Sequence, residues 1–222
     1  MAFENISTVQ SQESVLATNK VLRNTYTLLA LTLVFSAVTA GIAMATNARP
    51  IGIIGMLIGF YGLMFLVHKT QNSIWGLPSV FAFTGFLGYT LGPILNYFLA
   101  SSAGTELVMT ALGGTGLIFF ALSGYVLTTK KDMSFMTGML GAGFIVLLLM
   151  VVANIFMQIP ALSLAISGLF ILFSSGVILY QTSEIIHGGE RNYISATVTL
   201  YVSLYNIFLS LLQLLQAFSG DD

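Results

Sequence analysis

Residues 193–218 read YISATVTLYVSLYNIFLSLLQLLQAF, a run without a single charged side chain. Coiled as an α-helix at 1.5 Å per residue it is about 39 Å long, more than the ~30 Å hydrocarbon core of a bilayer requires. Its polar residues are not scattered. Thr199, Ser203, Asn206, Ser210 and Gln213 recur at intervals of four, three, four and three, which aligns them along one side of the helix. Facing lipid, each would be an unpaired polar group in hydrocarbon, at a cost of up to several kcal/mol. The seam therefore turns inward, either toward helices that hydrogen-bond to it or toward a water-filled path. That puts this helix near the centre of a bundle.

Six further stretches are of the same kind: 26–45, 51–67, 77–99, 105–127, 135–157 and 161–180. Of the 222 residues 56% are apolar and 7% are charged, and the mean hydropathy is +0.93. A soluble domain carries roughly a quarter charged residues. A chain this poor in charge cannot cover a water-facing surface and must face lipid. The predicted fold class is an all-α integral membrane protein, a seven-transmembrane-helix bundle over 26–218 with its last helix central. A polar segment, 1–25, precedes the bundle and a short tail, 219–222, follows it. The first segment holds Glu4, Glu13, Lys20 and Arg23 and no apolar core of the signal-peptide kind. With few apolar side chains to bury, it is expected to be disordered, and the first span to serve as the insertion signal.

Basic residues set the orientation, because short loops rich in Lys and Arg stay in the cytoplasm. With seven spans and the N-terminus inside, Lys20, Arg23, Lys69, Lys130, Lys131 and Arg191 share one side and Arg49 stands alone on the other. The N-terminus is thus expected in the cytoplasm and Asp221-Asp222 outside. End signals fit the spans. Ser134 and Asn192 occupy N-cap positions, Glu106 opens the fourth helix, and His187-Gly188-Gly189 closes the sixth.

Small residues predict where helices approach closely. Gly52, Gly55, Gly59 and Gly62 share one face of the second span, and Gly85, Gly88 and Gly92 one face of the third. Pro93 removes a backbone donor and pushes against the carbonyl of Tyr89, which predicts a kink, static or a hinge. Asn96 is placed to bind the released carbonyl or a neighbouring helix.

Residues that carry chemistry are scarce. The net charge of −1 supplies no basic field for nucleic acid, and the absence of cysteine rules out disulfides, thiolate metal sites and cysteine nucleophiles. No Asp, Glu, Lys or Arg lies well inside a predicted span. A buried carboxylate dyad, a His-Glu-x-x-His zinc site or a base beside a serine nucleophile cannot be assembled at membrane depth. Glu184 and His187 share a helix face, but a di-iron site needs a second such pair and two more carboxylates. No catalytic, cofactor or metal site is predicted. The chain reads as non-enzymatic.

Two long segments then become informative, FTGFLGYTLGPIL at 83–95 and FFALSGYVLTTKKDMS at 119–134. Both resemble signature segments of the Bax inhibitor-1, or transmembrane BAX inhibitor motif, family. The resemblance extends from KVLRNTY at 20–26 through IHGG at 186–189 to LYNIF at 204–208. It implies a seven-helix fold with a central last helix. It is nearest to a bacterial branch described as binding and modulating the FtsH-type membrane AAA protease and its associated membrane proteins. That implies an inner (plasma) membrane protein of quality control. Other family members are described as pH-sensitive calcium leak channels with an aspartate pair on the sixth and seventh helices. By the same resemblance those positions fall on Gln181, within Tyr180-Gln181-Thr182, and on Ser203, within Val202-Ser203-Leu204-Tyr205. An amide and a hydroxyl neither titrate near neutrality nor offer the anionic oxygens that calcium prefers. Glu184, one turn beyond Gln181, is the nearest carboxylate in sequence. Any ion leak would thus lack the pH-sensing pair.

Overall fold

A computed structural model describes residues 2–220, with side chains from Leu16 onward. Among the described residues there are seven helices: α1 (Ala2–Ala45), α2 (Gly52–Thr70), α3 (Gly76–Leu99), α4 (Gly104–Thr129), α5 (Met136–Met157), α6 (Pro160–His187) and α7 (Tyr193–Phe218). All seven are long and apolar enough to cross a membrane, and the chain is a multi-pass membrane protein. Asp221-Asp222, expected outside the membrane, lies beyond the described residues.

One boundary moves. The first helix does not begin near residue 26 but runs back unbroken to Ala2. Residues 2–25 contain neither Gly nor Pro, so nothing stops the helix once the apolar part has nucleated it. Its apolar part reaches back to Leu16, and Thr25, assigned from sequence to the polar segment, is fully buried.

The end signals expected of Gly188 and Asn192 hold at α6 and α7. Pro160 occupies the first turn of α6 and Ile159 before it is extended, as a proline demands of its predecessor. Gly188 ends α6 at φ 77°, a left-handed turn that glycine takes without steric cost. At the start of α5 the expectation fails. Ser134 makes no cap, since α5 begins at Met136 without a side-chain cap. The N-cap position falls on Phe135, one residue past Ser134, and the Ser134 N–H donates to the Asp132 carboxylate at 2.8 Å in an Asx turn. That donor holds the exposed Asp132 carboxyl below its usual pKa.

The bundle is organised around α7, which touches every other helix except α5. It hides more of itself than any other helix, while α2 and α5 bury almost nothing within the bundle and line its outside. The most extensive pairings are α1 with α3 and α6 with α7. Phe83, Leu87, Ile178, Leu200, Tyr201 and Ile207 form the heart of the core.

The two glycine faces have different fates. A Cβ at Gly88 would run into the Ser36 carbonyl and the Thr39 hydroxyl of α1, one at Gly85 into Phe35, and one at Gly92 into Ala43. The α3 face is therefore where α1 lies down. On α2 only Gly59 meets another helix, through the ring of Phe86, while Gly52 and Gly62 face open space. The four-glycine stripe of α2 is not a packing groove within this chain.

Candidate functional site

Two polar regions stand out, one threaded through the core and one at an end of the bundle. The first is the wiring of α7. Thr197, Tyr201 and Tyr205 recur every four residues, so their side chains leave α7 on one side. Thr197 Oγ1 donates to the Tyr193 carbonyl of its own helix at 2.6 Å and also lies 3.2 Å from the Thr25 carbonyl of α1. The Tyr201 hydroxyl is 2.5 Å from Ser36 Oγ of α1 and 3.2 Å from the Thr84 carbonyl of α3. The Tyr205 hydroxyl is 3.1 Å from Thr90 Oγ1 of α3. A buried tyrosine needs a partner for its hydroxyl, and these bonds fasten α7 to α1 and α3.

The seam read from the sequence is a different face, and most of it is not wired across helices. Ser203 and Ser210 are buried as expected. The hydroxyls of Thr199 and Ser203 turn back to the Ser195 and Thr199 carbonyls at 3.1 and 2.9 Å, the local bond that Ser and Thr make in helices. Gln213 is exposed, yet its Oε1 accepts from Ser167 of α6 at 2.5 Å. Asn206 is half-buried. On α3 the helix continues through Pro93, and Asn96 Nδ2 donates to Met44 O of α1 at 3.2 Å. It binds a neighbouring helix and not the carbonyl that Pro93 releases.

The second region is the end of the bundle that carries the Lys and Arg residues. Its loops are pinned to α6 and α7. Asn192 caps α7 through Oδ1, accepting from Ile194 N at 2.9 Å and Ser195 N at 3.3 Å. Its Nδ2 donates to Gln71 O at 3.3 Å and Asn72 Oδ1 at 2.8 Å. One side chain thus caps a helix and holds the α2–α3 loop. Ser183 of α6 accepts from Met133 N at 2.9 Å and donates to Lys131 O at 3.3 Å, which fixes the α4–α5 loop. Between α1, the end of α4 and the α6–α7 turn opens a cleft of about 900 Å³. The Glu184 backbone and the His187 side chain help close the end of α6. The Glu184 carbonyl accepts from Gly189 and Glu190, and His187 Nδ1 is 2.9 Å from the Ser183 carbonyl.

Beneath the cleft is a layer of buried polar atoms with no hydrogen-bond partner among the described residues: Thr25 Oγ1, Tyr26 Oη, Ser123 Oγ, Gln181 Nε2 and Thr182 Oγ1. Val21, Leu22, Leu127 and Ile186 line the cleft. Thr25, Tyr26, Ser123 and Thr182 stand four residues inward from them, respectively, and hence one turn deeper on the same helix faces. Leaving a buried donor or acceptor unpaired costs about 1–3 kcal/mol. Sequence reasoning singled out Gln181 but not its companions on α1 and α4. Isolated Ser and Thr give no signal of their own. Among the described residues no group of three or more His, Asp or Glu side chains gathers to hold a metal ion.

A buried last helix hydrogen-bonded to its neighbours, with loops pinned at one charged end, defines a polytopic bundle built around α7. Residues 18–220 match the family profile described as inhibitor of apoptosis-promoting Bax1, and the chain belongs to this Bax inhibitor-1 family. It is 60% identical to the modulator of FtsH protease YccA of Escherichia coli (strain K12) over 216 residues, covering 97% of this chain and 98% of that protein. An uncharacterized protein of Pseudomonas aeruginosa is 58% identical over 91% of each chain. One from Pasteurella multocida is 62% identical over 87% of this chain and 88% of its own length.

Proposed function

We propose that this protein is a non-enzymatic inner-membrane regulator that binds an FtsH-type AAA protease and modulates its action in membrane-protein quality control. The observation that carries the reading is the 60% identity, over nearly the whole of both chains, to a protein named as a modulator of that protease. A second relative with the same identity is named an inner membrane protein. Without carboxylates, lysines or arginines at membrane depth, the fold supplies a surface and a handle and no reacting group. The N-terminus lies in the cytoplasm and the C-terminus outside, a reading supported by the six-to-one distribution of basic residues. Residues 3–15 are the handle offered to the cytoplasmic ATPase pore, while the pinned bundle behind them resists extraction. In cells, raising the level of this protein should slow degradation of a membrane substrate of the protease. An unchanged substrate half-life would contradict the proposal.

A second reading, an ion leak along the last helices, is favoured by one observation, the unpartnered polar layer around Gln181 and Thr182. The hydroxyl oxygens of such a layer can hold water or a cation in passage, while Gln181 Nε2 can only donate, to water. Gln181 and Ser203, both buried, stand at the family's aspartate positions, so such a leak lacks the pH-sensing pair and binds calcium poorly.

A further inference from the structure

The cleft at the basic end has the chemistry of an amphiphile's site. Lys20, Lys130 and Arg191 line it together with the apolar side chains of Leu22, Leu127 and Ile186. The three cations are exposed, and they stand at the ends of spans. Lys130 caps α4 and Arg191 lies in the α6–α7 turn. Arg191 Nε donates to Gly188 O at 3.2 Å, which sets the guanidinium at the mouth. Against these three cations the lining holds one carboxylate, Glu190, which accepts from the Asn192 N–H at 2.7 Å, so the balance of charge in the cleft is positive. The volume of about 900 Å³ is on the scale of drug-sized ligand pockets.

We propose that this cleft binds the headgroup of an anionic phospholipid, its phosphodiester against Lys20, Lys130 and Arg191 and the first part of its acyl chains against Leu22, Leu127 and Ile186. A free phosphate would use the cations and leave the apolar wall wet. A zwitterionic lipid would use the wall and gain little from the cations. Only an anionic lipid satisfies both, and basic pockets between transmembrane helices recognise such headgroups. The site needs only to stand at a membrane–water boundary, so it depends neither on the proposed orientation nor on the protease reading.

The test uses the full-length protein in detergent, with lipid binding read by native mass spectrometry. Phosphatidylglycerol should bind much more tightly than phosphatidylcholine, and millimolar inorganic phosphate should not displace it. Each basic residue near anionic lipid contributes about 1 kcal/mol. The triple variant Lys20→Gln, Lys130→Gln, Arg191→Gln should therefore bind about a hundredfold more weakly. Arg49→Gln with Lys69→Gln, both outside the cleft, should leave binding unchanged. Should the triple variant not fold, Lys130→Gln alone is expected to lose about fivefold. Its left-handed backbone at φ 51° is the one Gln158 already adopts. Equal binding of the two lipids, displacement by phosphate, or a cleft variant that binds like the wild type would each overturn the assignment.

Discussion

The hydroxyl of Tyr201, on the last helix, lies 2.5 Å from the hydroxyl of Ser36, on the first, across 165 residues of chain. Tyr201 is 2% exposed, and its hydroxyl also reaches the Thr84 carbonyl. Within a membrane, apolar burial does not draw one helix to another, so packing and bonds of this kind hold the bundle together. Tyr201→Phe should therefore lower stability by about 0.5–2 kcal/mol, read as the shift in unfolding midpoint in mixed micelles. Ser203→Ala removes only a bond within its own helix and should shift the midpoint by less. Equal shifts would show that α7 is not held by its tyrosines.

The contrast between the glycine faces of α2 and α3 gives a second expectation. Gly88→Ala places a Cβ against the Ser36 backbone carbonyl, and backbone cannot swing aside. Overpacking of this kind costs about 1–3 kcal/mol. Gly62→Ala meets nothing within 4 Å and removes a flexible residue from a helix, so it should leave stability unchanged or raise it by up to about 1 kcal/mol. Thermal unfolding of the two variants side by side decides this. A Gly62→Ala protein as damaged as Gly88→Ala would mean that α2 packs on a helix that this chain does not supply.

These cases show what the sequence made legible and what it hid. Hydropathy placed all seven spans, because a 30 Å core imposes length and composition together. Asn192 and Gly188 were legible because a cap and a left-handed turn each demand particular residue types. The α3 glycines were legible too, but the identical pattern on α2 was not distinguishable from them, since spacing does not say which helix comes near. The seam on α7 was found, and its bonds were misjudged. Ser and Thr in a helix can satisfy themselves on the carbonyl four residues back, so a polar stripe need not be an interhelical one. Tyr201 and Tyr205 carry the connections to other helices, and their four-residue spacing is the signal the sequence offers. That signal is faint because tyrosine is grouped with the apolar side chains, which masks its hydroxyl. The start of α1 is hidden by its polarity, because a segment with no helix-breaking residue extends a helix without apolar side chains.

The leak reading makes a prediction about pH. Gln181 and Ser203 do not titrate between pH 6 and 8, so any calcium flux through proteoliposomes should be nearly flat over that range. The family resemblance puts residues 181 and 203 at a paired position, and two carboxylates at close range share a proton, so Gln181→Asp with Ser203→Asp should install pH dependence. Flux should then fall as the pair protonates at the acid end. A wild-type flux that changes sharply near neutrality would refute this and point to Glu184 or His187.

The handle reading concerns residues 3–15, whose removal leaves the apolar part of α1 from Leu16 intact. The shortened protein should still insert, with unchanged thermal stability, but its lifetime in cells should lengthen or its effect on the protease change. Pulse–chase measurement in a strain carrying the protease checks this. Turnover and protease activity both equal to those of the full chain would remove the segment from the mechanism.

Orientation is open to labelling, since the chain has no cysteine of its own. Ser73 in the α2–α3 turn and Ser102 in the α3–α4 turn are both exposed. In intact spheroplasts a membrane-impermeant maleimide should label Ser102→Cys and spare Ser73→Cys. The reverse pattern would place the basic cleft outside.

The central claim is physical association with the protease, and recovery of the complex tests it most directly. The full chain, tagged at its C-terminus and purified from bacterial membranes in mild detergent, should bring down the FtsH-type protease in amounts that an unrelated seven-helix protein at the same level does not. Adding the purified protein to the purified protease in proteoliposomes should slow cleavage of a membrane substrate. A clean preparation without the protease, together with cleavage at the rate seen in its absence, would contradict the account.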